Sequence, residues 1–162
     1  RISLQEQVRV DIPITAAMQL NLSAWDGDTL HMYAPLAPNV NDKGCAFGGS
    51  LSSVMTLACW SLVKLAMDER GLSSDIYVQD SEVRYLAPVW EDFSAVARLA
   101  YGNDFEEFFL MLESRGKARL SAHCEVRLTD GTVATSLNAR FVALKRDPTV
   151  RATDGAQSES GG

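Results

Sequence analysis

Residues 41 to 67 read NDKGCAFGGSLSSVMTLACWSLVKLAM, a glycine-rich loop followed by the most apolar run of the chain. Glycine adds backbone freedom that folding must remove. The cluster of Gly44, Gly48 and Gly49 therefore indicates either a tight turn or a group that comes close to the main chain.

The apolar run itself predicts a buried helix. Its apolar residues cover nearly every helical face from Leu51 to Met67, which is typical of a helix surrounded by other structure. The run is short for a membrane span and Lys64 interrupts it, so we predict no such span. We expect the helix at residues 50–70, with Gly71 as its C-terminal stop.

Composition and charge limit the classes of protein to which this chain can belong. The 162 residues are 46% hydrophobic and 22% charged, which fits one globular domain with a sizeable core. A formal charge of −6 argues against a general nucleic-acid binder. The three cysteines form no CxxC pair, so we expect reduced thiols, no disulfide framework, no metal and a cytoplasmic location.

The two ends of the chain carry different sequence signals. No signal peptide is recognisable, although the sequence starts at Arg1 and the native chain can be longer. Apolar periodicity stops after Arg146. We therefore predict one domain over residues 1–146 and a disordered tail over 147–162.

Two hairpins are signalled by Asp-Gly turns between alternating strands, at Asp26-Gly27 and Asp130-Gly131. In the first hairpin we place Met18, Leu20 and Leu22 on one face of a strand. Further strands are predicted in DIYVQDSEVRYLAPV and DFSAVARLA. NDFEEFFLMLESR predicts a helix, with a strand as the alternative.

This order of elements predicts an α+β domain, in which one curved antiparallel sheet wraps the apolar helix. A single sheet cannot cover every face of a helix. We therefore expect a second copy of the chain to cover the rest, in a homodimer or higher homo-oligomer.

The order resembles the hotdog fold, and three segments carry a closer likeness: APLAPNVNDKGCAFGGSLSSVMTLACW, VRYLAPVWEDFSAVARL and SRGKARLSAHCEVRLTDGTVATS. They are similar to the YiiD C-terminal domain family, a thioesterase-type family also found behind an acetyltransferase domain in some bacteria. The likeness covers residues 12–144. It implies hydrolysis of fatty-acyl thioesters of coenzyme A or acyl carrier protein, without a cofactor.

Hotdog thioesterases generally have an Asn, then a Gly, then His-Gly-Gly at the helix start, and a carboxylate about two turns into the helix. By this resemblance Asn41 falls on the Asn, and Gly48 and Gly49 on the glycine pair. Phe47 stands in place of the His and Thr56 in place of the acid. The usual acid–base pair is therefore missing.

The start of the predicted helix still has backbone donors for a thioester carbonyl. Free amides at Gly48, Gly49 and Ser50, together with the helix dipole, are able to form an oxyanion hole. The alternative is a glycine pair that only packs helix against sheet. Asn41 is a candidate for orienting water or holding the carbonyl, or it forms an Asx turn.

Two further residues are candidates for positioning water. Thr56 either orients a water or bonds back to its own helix. Asp80 is the candidate for the missing acid, acting across the dimer. It shares a strand face with Val78, Glu82 and Arg84, and the alternative is a carboxylate that is solvated or paired with Arg84.

Other residues are assigned to substrate binding. Arg115, Lys117 and Arg119 are predicted on one strand face, where the resemblance implies contact with the phosphates of coenzyme A. A solvated strand edge is the alternative. Phe47 and Ser50 are expected to contact the substrate at the helix start.

Three functions remain open. The first is the acyl thioesterase, and the second is a non-catalytic acyl-binding or dimerisation module, consistent with the missing helix acid. The third is a hotdog dehydratase, against which the replacement of the motif His by Phe47 counts. A Cys45–His couple is disfavoured because His31 and His123 lie in separate predicted strands.

Overall fold

The structure is a computed structural model, and it describes residues 3–146. The predicted tail at 147–162 lies outside the described residues. The helices and strands, in chain order, are α1 Leu4–Asp11, α2 Ile14–Met18, β1 Asn21–Trp25, β2 Thr29–Ala34, α3 Gly48–Glu69, β3 Ser74–Tyr85, β4 Phe93–Leu99, α4 Phe105–Arg115, β5 Lys117–Arg127 and β6 Val133–Lys145.

The strands form one antiparallel sheet in the order β1-β2-β4-β5-β6-β3, and α3 packs against β2 to β6. The α+β prediction of a sheet around one helix is therefore confirmed. The long strands β5 and β6 are neighbours in this sheet, and β1 and β3 form its two edges within the described residues.

Helix α3 is the core of the domain. Val54, Met55, Ala58 and Leu62 are all completely buried, since the sheet curves around them. By length and composition alone, the helix is apolar enough to cross a bilayer, but half of its apolar window is buried inside the domain. We therefore assign it as a core helix.

The ends of α3 follow the sequence signals closely. The helix begins at Gly48, two residues before the predicted start, and ends at Glu69. Gly71 has a φ of +73°, the left-handed conformation that follows many helix ends.

One side of α3 is not covered by the sheet. Ser53 is exposed on it, and Thr56, Leu57 and Trp60 are only partly buried. The expectation that one sheet leaves a helical face open is met within this chain.

Both predicted hairpin turns are present, with Gly27 at a φ of +98° and Gly131 at +89°. The start of the first hairpin was predicted wrongly. Met18 ends helix α2 and Leu20 precedes β1, so neither lies in a strand. Two N-terminal helices precede the sheet instead.

Helix α4 is confirmed as a helix. Asp104 caps it by accepting a hydrogen bond from the Glu107 amide, and Phe108, Phe109 and Leu112 are buried in a second apolar cluster. The helix ends at Arg115, and Gly116 follows with a φ of +73°. The prediction of Arg115, Lys117 and Arg119 on one strand face is therefore wrong for Arg115. Only the other two lie on β5.

Removing core volume from α3 tests this architecture. We expect Leu62→Ala to lower the free energy of unfolding by about 2–5 kcal/mol, because the fully buried leucine leaves a cavity. Ser53→Ala, on the exposed side of the same helix, is the control and should change it by less than about 0.5 kcal/mol. Urea unfolding measures both. Equal effects would contradict the burial of this helix.

Candidate active site at the start of the core helix

The first turn of α3 presents unpaired backbone donors. Phe47 is the cap residue, with extended backbone and no side-chain cap, and the first helical bond runs from the Leu51 amide to the Phe47 carbonyl at 3.0 Å. Within residues 3–146, the amides of Gly48, Gly49 and Ser50 donate to no acceptor. They point their partial positive charge out of the helix end.

Two aromatic rings flank the glycine pair. A Cβ on Gly49 would lie 2.4 Å from the ring of Phe47, so that ring would have to move, whereas one on Gly48 would be in ordinary van der Waals contact with the ring of Tyr85 at 3.4 Å. The Tyr85 hydroxyl also donates to the Gly48 carbonyl at 3.2 Å. Both rings are more than half exposed, so the helix start lies between two exposed aromatic side chains.

Asn41 forms an Asx turn in the loop that leads to the helix. Its Oδ1 accepts from the amides of Lys43 at 2.8 Å and Cys45 at 3.2 Å. Its Nδ2 contacts the Cys45 Sγ at 3.2 Å. The side chain therefore holds the loop closed in this structure, which is the structural alternative named above.

A second asparagine fixes the same loop from inside. Asn39 is buried, and its Nδ2 donates to the carbonyls of Met18 at 2.9 Å and Pro35 at 2.8 Å. Its own carbonyl accepts from the Phe47 amide at 2.8 Å. Sequence reasoning missed this residue because the helix it anchors, α2, was not predicted.

Thr56 lies on the open side of α3, seven residues after Gly49 and therefore about 10 Å along the axis. Its hydroxyl donates to the Ser52 carbonyl at 2.8 Å. This is the bond back to its own helix that was the structural alternative, and the hydroxyl keeps lone pairs that can accept from a water.

Asp80 lies away from the helix start of its own chain. It precedes Tyr85 by five residues, about 16 Å of strand. The Asp80 carboxylate pairs with the Arg140 guanidinium, with Oδ1 at 3.0 Å from Nε, and this hydrogen bond lowers the pKa of the carboxyl below its usual value. A lowered pKa makes it a weaker base.

A bulge changes the predicted faces of β3. The register shifts between Val78 and Asp80, so Val78 pairs with the buried Phe141 while Asp80 pairs with Arg140. The prediction that Val78 shares a face with Asp80 is therefore wrong. Glu82, two residues further on, pairs with Arg84 at 3.1 Å.

A basic cleft lies between α4 and β5. It encloses about 630 Å³, and Arg115, Lys117 and Arg119 all line it although they come from different elements. Arg119 also donates from Nε to Gln79 Oε1 at 3.0 Å. Asp104 and Glu107 lie on the same cleft, so its charge is mixed.

The thiols and imidazoles do not form a nucleophilic pair in the described residues. Cys45, Cys59 and Cys124 are buried free thiols, and burial beside Cys59 raises the pKa of Cys124 well above its usual value. The His123 ring nitrogens bond to Asn138 and Glu125. No group of three metal-ligating side chains occurs between residues 3 and 146.

Comparison with known families decides the class of protein. The family described as "Putative thioesterase (yiiD_Cterm)" matches residues 2–145. The chain belongs to this family. The match confirms the likeness seen in the sequence.

Solved structures agree with this assignment. A protein of unknown function from Chlorobaculum tepidum is 32% identical with a TM-score of 0.80, and the match covers 86% of this chain and 91% of that one. A "putative thioesterase" from Shewanella oneidensis is 29% identical with a TM-score of 0.77, over 87% and 94%. A Haemophilus influenzae thioesterase, 12% identical with a TM-score of 0.67 over 90% and 92%, shares the fold. The fold is therefore a hotdog fold of thioesterase type.

The Asx turn can be tested by removing its acceptor. Asn41→Ala leaves the amides of Lys43 and Cys45 without their bonds, so we expect the free energy of unfolding to fall by about 1–2 kcal/mol. Asn41→Asp is the matched control, since it keeps the acceptor oxygen. Urea unfolding should show the larger loss for alanine. An equal loss in both variants would contradict the turn's role.

Proposed function

We propose that this protein is an acyl thioesterase that hydrolyses fatty-acyl thioesters of coenzyme A or acyl carrier protein, in the cytoplasm and as a homodimer. One observation supports it most. The backbone amides in the first turn of α3 have no acceptor in the described residues, and they lie between the exposed rings of Phe47 and Tyr85. Membership of a thioesterase family supports the same reaction class.

The reaction needs hydrogen-bond donors that stabilise the negative charge on the thioester carbonyl oxygen. In our proposal the thioester carbonyl oxygen accepts hydrogen bonds from the Gly49 amide and from the amide of either Ser50 or Gly48. These donors stabilise the oxyanion that forms when water attacks. The carbon–sulfur bond then breaks, and the thiolate leaves with a proton that derives from the water. Phe47 lies against the acyl group, since its ring flanks the same amides.

The water is positioned rather than strongly activated. We assign this role to Thr56, on the open side of α3, with Asp80 of a second copy as an additional partner. Asn41 contributes indirectly, because its Asx turn holds the loop that leads to the helix start. The Arg140 pair makes Asp80 a weak base, so orientation of the water is the role that fits its chemistry.

A second copy is expected to pair along β3. This strand has 12 residues and lies at the sheet edge, where Tyr77 and Val78 are about half exposed. Unpaired edges of this length are ready to accept another strand. Such pairing would also cover the open side of α3, and would bring the second copy's Asp80 towards it.

The basic cleft is assigned to the phosphates of coenzyme A. Guanidinium and ammonium groups on Arg115, Lys117 and Arg119 supply charge-assisted donors for them. A carrier protein would present its own phosphate and acidic surface to the same cleft, so the cleft supports both substrates.

Release of free thiol from a panel of acyl-coenzyme A substrates tests the reaction. We expect Thr56→Val to lower kcat roughly tenfold or more with little change in KM, because the water loses its hydroxyl partner. Thr56→Ser keeps the hydroxyl and is the control. Full activity in the valine variant would show that Thr56 has no part in the mechanism. If no acyl-coenzyme A or acyl-carrier substrate released a thiol, the proposed thioesterase function would be wrong.

The phosphate assignment has a separate test. Reversing charge with Lys117→Glu and Arg119→Glu should raise KM for an acyl-coenzyme A by roughly tenfold, since two favourable charges become repulsive. The same acyl group on N-acetylcysteamine lacks the nucleotide, so its KM should not change. An equal rise in KM for both substrates would mean that the nucleotide binds elsewhere.

The alternative is a non-catalytic acyl-binding module. The absence of an acid in α3 before Asp68 favours it, because the usual base of this fold is missing. Acyl binding without turnover, unaffected by Asn41→Ala, would support this function instead.

A further inference from the structure

The edge strand β3 exposes apolar side chains on the face that holds the core. Val78 and Val83 are the cross-strand partners of Phe141 and Leu137, both of which are buried, so all four side chains point to the same face of the sheet. Val78 is nevertheless 47% exposed, and Val83 is only partly buried. Helix α3 therefore leaves apolar surface open beside it along this strand.

Two hydrogen bonds connect α3 to β3, one at each end of this open surface. At the helix start, the Tyr85 hydroxyl donates to the Gly48 carbonyl at 3.2 Å. Farther along, Trp60 Nε1 donates to the Ile76 carbonyl at 3.3 Å. We call the surface between these two bonds the β3 trough. It is bordered by Val78, Val83 and Tyr85 on β3 and by Ser53, Thr56 and Trp60 on α3.

The helical border of the β3 trough is continuous with the unpaired amides. Ser53, Thr56 and Trp60 follow Gly49 at spacings of four, three and four residues, which places them on one face of α3. Ser53 is exposed, and Thr56 and Trp60 are only partly buried. No buried side chain of the helix therefore separates the amides from Trp60 along this face.

The polarity of this face changes with distance from the amides. The hydroxyls of Ser53 and Thr56 come first, and the indole of Trp60 follows. One turn beyond the indole, Lys64 pairs with Asp68 at 2.9 Å, and the Lys64 side chain is only 19% exposed. Covering that ion pair with an alkyl chain would remove water from both charges at a cost in free energy. A polar head, an apolar chain and a defined end fit this order.

The spacing along α3 gives the length of chain that fits. Trp60 lies 11 residues beyond Gly49, which is about 16 Å along the helix axis. An extended chain advances about 1.2 Å per bond, so about 13 bonds cover this distance. Because its hydrogen bond to the Ile76 carbonyl joins helix to strand, the indole closes the far end of the trough.

We propose that the β3 trough binds the acyl chain of the substrate and that Trp60 sets its length, with a limit of about 12 carbons. This inference rests on the proposed function for the position of the thioester carbonyl at the amides. It adds the class of acyl group, a medium-length unbranched chain, and the residue that selects it.

Binding of non-hydrolysable ligands tests the limit without requiring catalysis. The probes are three thioethers of coenzyme A: S-butyl, S-dodecyl and S-hexadecyl. Titration calorimetry should show much tighter binding of the dodecyl than of the butyl ligand, since each additional buried methylene strengthens binding several-fold. The hexadecyl ligand should bind no tighter than the dodecyl ligand. Equal binding of butyl and dodecyl would show that the trough holds no acyl chain.

Substitution of the indole should move the limit. In Trp60→Ala, the hexadecyl ligand should bind roughly tenfold or more tighter than the dodecyl ligand, because four more methylenes become buried. Trp60→Phe keeps a ring at the same position and is the matched control, in which the two long ligands should stay within about threefold of each other. An unchanged order of affinities in the alanine variant would show that Trp60 does not set the length.

A ring placed nearer to the amides gives the opposite test. Ser53 is exposed, so Ser53→Trp should fold, and it brings an indole about 10 Å closer to Gly49 on the same face. The advantage of the dodecyl over the butyl ligand should then be lost, with butyl binding unchanged. A retained advantage would overturn the proposed course of the chain.

Two further results separate this inference from its alternatives. If Trp60→Ala weakens self-association in analytical ultracentrifugation and leaves the order of affinities unchanged, the trough is an interface between copies and not an acyl site. Thiol release from acyl-coenzyme A is an independent result. A chain that shows the 12-carbon limit but hydrolyses nothing would refute the catalytic function alone, and hydrolysis without a limit would refute the role of Trp60 alone.

Discussion

A helix that is apolar on nearly every face has to be enclosed, and this constraint governs the domain. The interior side chains of α3, Val54 and Leu62 among them, reach zero exposure only because a six-stranded sheet curves around them. Such curvature leaves one side of the helix and one end of it open. Two of the features to which we assign function, the unpaired amides and Thr56, lie along those openings.

Two glycines at the open end leave room for aromatic side chains beside the helix start. Helix starts are usually satisfied by a side-chain cap, but Phe47 supplies none, and two aromatic rings occupy the space beside Gly48 and Gly49. Alanine at position 49 would push the Phe47 ring away. The glycines thus permit the rings to lie close, and they leave the amides accessible to a carbonyl oxygen at the same time.

Several features with a local sequence signal were predicted correctly. The extent of α3, the Asp-Gly turns and the cap at Asp104 depend on neighbouring residues, and the structure has all of them. Helix α1 also had a local signal, the capping box between Ser3 and Glu6, which the sequence reasoning overlooked.

The features that sequence could not predict depend on long-range pairing. Asp80 meets Arg140 because a bulge shifts the register of β3, and no local pattern marks that bulge. Tyr85 reaches Gly48 across 37 positions of sequence. Asn39 and Asn41 are two residues apart and have the same side chain, yet only the packing of α2 makes one buried and the other partly exposed.

The bulge in β3 has a further consequence for how the chain behaves among its own copies. An open edge of 12 residues would ordinarily be a template for indiscriminate aggregation. Here the second half of that edge carries Asp80, Glu82 and Arg84, and the extra residue twists it away from a flat ladder. A strand that approaches in the wrong register meets unmatched charge. These charges and the bulge therefore make the edge resist growth into a fibre.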